Sequence, residues 1–363
     1  MVAQASSAGG RGTAGAKGRG RPAWALALAA AALLASCEAS DSAAALSPGK
    51  GVRLPDHRTI NFRCEGTGAP TVLLESGFGA DSGAWFKVQP ALARTTRVCA
   101  YDRAGYGYSD PGPLPRDGAA IARDLDQALV AARIDGPYVL VGHSAGGLYA
   151  RLFAARRLQD VKGLVLLDPT VETHVADPAN DGLEGIRNRV QRCLAAASAS
   201  PQPPLEDPQW QGCIPARRDP HQIEVARRPD SWRNQLSELD AIFGRTSDQV
   251  MRMGDLLRPI PAYVITASDT AAAAQKLGYA SQSLWELQHM RLAYSFDRGA
   301  QRTVLSSHLV MIDRPEVVIE AVQSMLAAIR AGRPPDDLPP SETAAPPGGF
   351  APDADIENPG ATK

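Results

Sequence analysis

The stretch Tyr138-Val139-Leu140-Val141-Gly142-His143-Ser144-Ala145-Gly146-Gly147 decides the fold. Its first four residues are a continuous apolar run, the pattern of a parallel strand buried on both faces. A helical pattern follows from Ala145 to about Arg157. Between the two stands Gly-x-Ser-x-Gly, from Gly142 to Gly146. Glycines at both ends permit a tight strand–turn–helix elbow, which would hold the Ser144 hydroxyl clear of the backbone at a helix N-terminus. The pattern alone could be a glycine-rich turn with a surface serine. A preceding apolar strand and a following helix make the elbow the stronger reading.

Outward from the elbow the chain alternates between two periodicities. Residues 60–64 alternate with period two, as a half-buried strand does. Residues 71–75 and 97–101 are short β-rich runs closed by Gly or Asp. Ile121, Leu125, Leu129 and Ile134 fall at helical spacing with charged residues between them. Residues 163–167, 262–266 and 302–305 read as further strands. Strands separated by helices predict an α/β fold, a mostly parallel doubly wound sheet covered on both faces. Residues 171–258 break the rhythm with Pro201, Pro203, Pro204 and Pro208 and an amphipathic stretch over 231–244. They read as a helical cap folded over the sheet edge, between core segments 51–170 and 259–332.

Four motifs now stand in order. The elbow is one. Ser76-Gly77-Phe78-Gly79 follows a strand; Asp102-Arg103-Ala104-Gly105-Tyr106-Gly107-Tyr108-Ser109 follows the next. Ser307-His308 precedes Asp313-Arg314-Pro315-Glu316. Together they resemble the α/β-hydrolase fold family, in its serine hydrolase and esterase branch, over about residues 51–330. The resemblance implies that the first glycine-rich loop is the oxyanion loop, with Ser76 where His is common. It also implies a nucleophile at Ser144 and a base at His308, because a serine hydroxyl is a poor nucleophile until its proton is taken. The family's order of serine, acid, histidine leaves two acids. Asp168 ends its strand cleanly and is preferred. Asp269 follows the strand that most often carries the acid but lacks the usual preceding glycine. The backbone N–H groups of Phe78 and Ala145 are the expected oxyanion donors. His143 reads as pocket wall. Asp102 and Arg103 read as a structural pair holding a loop. Tyr106, Tyr108 and Trp85 either line the site or pack.

The implied reaction is hydrolysis of a carboxylic ester, or of a thioester or amide, with water as second substrate. A peptidase or C–C hydrolase on the same fold is an alternative, as is a catalytically inactive surface binding protein. The haloalkane dehalogenase reading meets Ser144 where that chemistry needs Asp. No His-Glu-x-x-His, Cys-x-x-Cys or acidic calcium loop occurs, so no metal and no cofactor are expected.

The 363 residues carry net charge −1, which excludes a strongly basic nucleic-acid binder. That near-balance hides uneven ends. Residues 1–22 hold Arg11, Lys17, Arg19 and Arg21 and no acid, and residues 23–35 are all apolar. This is shorter than the roughly 20 apolar residues of a membrane span, and reads as a signal peptide over 1–36. Leu34-Ala35-Ser36-Cys37 resembles a bacterial lipobox, which implies lipidation of Cys37 and a tether over 37–50. Such a protein is exported and anchored to a membrane surface, in the periplasm or at the cell surface. Cleaved there, the chain would hold 34 basic against 39 acidic residues. Residues 333–363 contain eight Pro and few large apolar residues, the composition of a disordered tail. Four cysteines remain, an even number suited to two disulfides in an oxidising compartment. The family's sheet places the strands of Cys64 and Cys99 side by side, and Cys193 and Cys213 share the cap. This implies pairs Cys64–Cys99 and Cys193–Cys213.

Overall fold

The computed structural model describes residues 48–173, 181–214, 220–270 and 282–333. The expectations for the signal peptide, Cys37, most of the tether and the Pro-rich tail lie outside the described residues. Eight strands form one sheet: β1 Lys50–Arg53, β2 Thr59–Glu65, β3 Thr71–Glu75, β4 Val98–Tyr101, β5 Tyr138–His143, β6 Val161–Leu167, β7 Ala262–Ala267 and β8 Gly299–Val304. Their order across the sheet is β1-β2-β4-β3-β5-β6-β7-β8. β2 runs antiparallel to both its neighbours, and every pair from β4 to β8 is parallel.

The apolar runs are continuous because both faces of the sheet are covered. Val72, Val139, Val141, Val165 and Leu167 point to one face, under Val318, Val322, Met325 and Leu326. These four lie on helix Pro315–Arg330. Leu73, Leu140, Leu164 and Leu166 point to the other, under Ile121, Leu125, Leu148 and Phe153. These belong to helices Gly118–Ala132 and Gly146–Arg156. Numbered in chain order, the helices are α1 Gln89–Ala93, α2 Gly118–Ala132, α3 Gly146–Arg156, α4 Asp181–Ser198, α5 Pro220–Ala226, α6 Pro229–Ala241, α7 Ser247–Met251, α8 Gln282–Tyr294, α9 Val310–Asp313 and α10 Pro315–Arg330.

Two edge strands differ from the sequence reading. β1 has three of its four residues exposed and therefore no apolar signal. β8 begins and ends earlier than the 302–305 run, and Leu305 is largely exposed. An edge strand is half-covered, so apolar content marks it poorly.

The helical insertion between β6 and β7 holds α4 to α7. Val190, Ala196, Trp210, Ala226 and Trp232 form a small core of its own. The Cys193–Cys213 disulfide crosses it, and Cys64–Cys99 joins directly opposed residues of β2 and β4. The cap also closes the N-terminus of α2. Its Thr246 Oγ1 accepts from Gly118 N at 2.9 Å and its Gln249 Oε1 from Ala119 N at 2.9 Å. Those are amides that a helix start otherwise leaves unpaired.

Candidate active site

In a parallel sheet the loops leaving the C-terminal ends of the strands open on one edge. Ser76–Gly79 leaves β3, Arg103 follows β4, Ser144 follows β5, Asp168 follows β6 and His308 follows β8. Strand order therefore brings together residues scattered over more than half the chain.

Ser144 sits at φ 52°, a left-handed conformation. Few non-glycine residues adopt it, and its cost of about 1–3 kcal/mol is characteristic of functional turns. Hydrogen bonds on both sides hold it: Ser144 N donates to Leu167 O, and Thr170 N donates to Ser144 O, each at 3.0 Å. The elbow requires its glycines. A Cβ on Gly142 would lie 2.7 Å from Gly146 O, and one on Gly146 would lie 2.5 Å from Glu75 O. Ser144 is half-buried. Among the described residues the N–H groups of Phe78 and Ala145 have no hydrogen-bond acceptor.

The carboxylate beside His308 is that of Asp168, with Oδ2 2.6 Å from His308 Nδ1. A carboxylate only accepts, so His308 Nδ1 carries the hydrogen of this bond and Nε2 is the ring nitrogen left to act as base in the neutral imidazole. Asp168 is wholly buried. Its Oδ1 accepts from Ala267 N and from Trp285 Nε1, each at 3.0 Å. Burial pushes its pKa up, but the His308 hydrogen bond and charge and the Ala267 N–H outweigh this and leave it lowered. Asp269 lies elsewhere: it is exposed, and its carboxylate accepts from Ser268 Oγ at 3.3 Å.

Two further histidines support this pair. His143 is buried, because the elbow turns its ring under the His308 loop. Its Nε2 donates to His308 O at 2.8 Å, and its ring lies 4.7 Å from that of His308. Burial first, then the charge of His308, lowers its pKa to about 3, so the ring is neutral. His289 of α8 carries no motif and escaped sequence reading. Its Nε2 donates to Pro169 O at 2.8 Å, and its Nδ1 accepts from Thr266 Oγ1 at 2.9 Å. Thr266 in turn accepts from Gln301 at 2.7 Å. This chain braces the backbone directly after Asp168.

Asp102 and Arg103 both hold loops, but not each other. Asp102 accepts from Asn61, Ser82 N and Tyr108 N. Arg103 pairs with Glu75 and with Glu238 of the cap. Adjacent residues leaving a strand point to opposite sides, which separates the two. Trp85 packs, fully buried, and donates to Ser76 Oγ at 2.9 Å. Tyr106 packs over Arg103, and Tyr108 stacks on His221.

Residues 70–293 match the family model of the alpha/beta hydrolase fold. The chain belongs to that family. A similar relative is an AB hydrolase superfamily protein of Gibberella zeae, 24% identical over 287 residues, with 72% of this chain and 87% of that protein covered. An uncharacterized protein of Schizosaccharomyces pombe is 47% identical over 81 residues, 22% of this chain and 15% of the relative. The alignment thus spans less than a fifth of the first curated relatives. Among solved structures, a thermophilic esterase from Thermogutta terrifontis aligns at TM-score 0.54 and 20% identity, covering 78% of this chain and 99% of its own. At that identity the likeness shows the α/β-hydrolase fold alone.

Proposed function

We propose that this α/β-hydrolase is a serine hydrolase that cleaves a carboxylic ester through an acyl-serine intermediate. The observation that carries the reading is the 2.6 Å contact of His308 with Asp168 beside a serine held at positive φ. Ser144 Oγ attacks the acyl carbon while His308 Nε2 takes its proton. The negative oxygen that forms is met by the Phe78 and Ala145 N–H groups, whose hydrogens are otherwise unused. His308 then protonates the leaving alkoxide, and Asp168 stabilises the imidazolium meanwhile. Water attacks the acyl-serine by the same steps in reverse order. Thioester and amide cleavage use the same groups.

An exported protein anchored through Cys37 fits this reading. Two disulfides in the body suit an oxidising compartment.

A fluorophosphonate probe tests the activity, since it reacts only with an activated serine. Wild type is expected to label and Ser144→Ala to stay unlabelled. Equal labelling of both, or none of wild type, overturns the proposal. Incorporation of an alkynyl fatty acid by wild type but not by Cys37→Ala tests the anchor.

A further inference from the structure

Arg103 is buried, yet every one of its five N–H groups has a partner. Nη1 donates to Ser76 O at 2.6 Å and Glu75 Oε1 at 3.0 Å. Nη2 donates to Gly77 O at 2.8 Å and Glu238 Oε1 at 3.0 Å, and Nε reaches Glu238 Oε2 at 3.4 Å. The rings of Tyr106 and Tyr149 cover the guanidinium at 4.7 and 5.3 Å. One side chain therefore grips two successive carbonyls of the Ser76–Gly79 loop.

That grip has a directional consequence. The Gly77–Phe78 peptide is trans, and in a planar trans peptide the N–H points opposite to the C=O. Holding Gly77 O against Arg103 aims the Phe78 N–H away from it. On its Cα side Gly77 meets the elbow: a Cβ there would lie 2.8 Å from His143 Nδ1 and 3.0 Å from Ser144 Cβ. The loop is clamped between the nucleophile and the guanidinium. Released, this glycine peptide could rotate and present an oxygen where the hydrogen is needed. Glu238 lies on α6, in the cap, and also accepts from Tyr149 Oη at 3.1 Å.

We infer that Arg103 is a positioning residue for the oxyanion hole and that Glu238 seats it, so that the cap sets the aim of the Phe78 N–H. The inference rests on the serine hydrolase reading and adds to it a dependence of the transition state on a cap residue. Glu75 faces the same guanidinium through Nη1 alone, whereas Glu238 meets both Nη2 and Nε, the Nη2 that also holds Gly77 O.

The experiment uses the full chain with p-nitrophenyl acetate as substrate and butylboronic acid as tetrahedral analogue. Fluorophosphonate labelling of wild type is run alongside. Arg103→Lys supplies a charge but not a planar fork. Its kcat should fall by about 10²–10³, as when one oxyanion donor is lost. KM should stay within about twofold, and boronate affinity should fall with kcat. Glu238→Gln keeps the shape and removes the charge, and should show the same split at roughly tenfold, within the usual range of coupling between sites. Cooperative thermal unfolding establishes that each variant is folded. If Arg103→Lys is not, Glu238→Gln decides by the same two readouts. Unlabelled wild type overturns the hydrolase reading itself. A labelled, active wild type whose folded variants keep kcat and boronate affinity, or lose only KM, overturns the inference and leaves that reading standing.

Discussion

Asp168 Oδ2 lies 2.6 Å from His308 Nδ1 across 140 residues of sequence. The other carboxylate oxygen is bonded to the amide of Ala267 and the indole of Trp285. Both oxygens of this carboxylate are thus engaged, one by the imidazole and the other by the amide and the indole.

Replacing Asp168 by Asn should therefore reverse the imidazole tautomer and lower kcat by about 10⁴. Asp269→Asn, at an exposed carboxylate, should leave kcat within about twofold. Steady-state kinetics on both variants check this. Equal effects would reject the assignment of Asp168.

His143 stays neutral down to about pH 3, against 6.5 in an unfolded chain, through burial and then the neighbouring His308. Between those values the unfolded chain binds a proton that the folded protein refuses. The contribution to stability is therefore complete above about pH 6.5 and is lost as pH falls towards 3. Fully expressed, such a displacement amounts to roughly 5 kcal/mol. His143→Gln retains an N–H donor for His308 O and does not titrate. The stability advantage of wild type over this variant should shrink by several kcal/mol between about pH 7 and 4 in urea titrations. A pH-independent difference would contradict it.

The two disulfides close loops with sequence separations of 35 and 20 residues. Chain entropy assigns about 4 and 3 kcal/mol to loops of these lengths. Cys193→Ser with Cys213→Ser should lower the unfolding free energy by about 3 kcal/mol, the loss falling on the cap. Unreduced, denatured protein should show none of these four thiols to a thiol reagent. Two or more would refute the pairing.

Glycine positions separate packing from backbone cost. Gly146→Ala drives a methyl into Glu75 O and Ser76 O and should abolish activity and most soluble protein. Gly79, at φ +78°, has nothing within 4 Å of the point where a Cβ would stand. Gly79→Ala should cost only about 1–2 kcal/mol, the penalty of a left-handed conformation. Thermal unfolding of the pair measures the contrast. Equal losses would mean that contact at Gly146 is not the cause.

The sequence by itself marked seven of the eight strands and the elbow, and through the family resemblance it singled out His308 as the candidate base; β1 left no apolar signal. A buried parallel strand must be apolar throughout, as Val139 to Val141 are, and a tight elbow must have glycines around its serine. Both demands are local and leave marks at fixed spacing. The acid was narrowed only to Asp168 or Asp269, because each ends a strand and nothing nearby says which faces His308. His289, Glu238 and the grip of Arg103 on Gly77 left no mark at all. Each is a single polar residue whose partner comes from a distant segment, and only strand order and cap packing bring the two within hydrogen-bond reach. Tertiary structure decided those contacts because a hydrogen bond depends on direction and on distances of about 3 Å, whereas periodicity records only which face of an element is apolar.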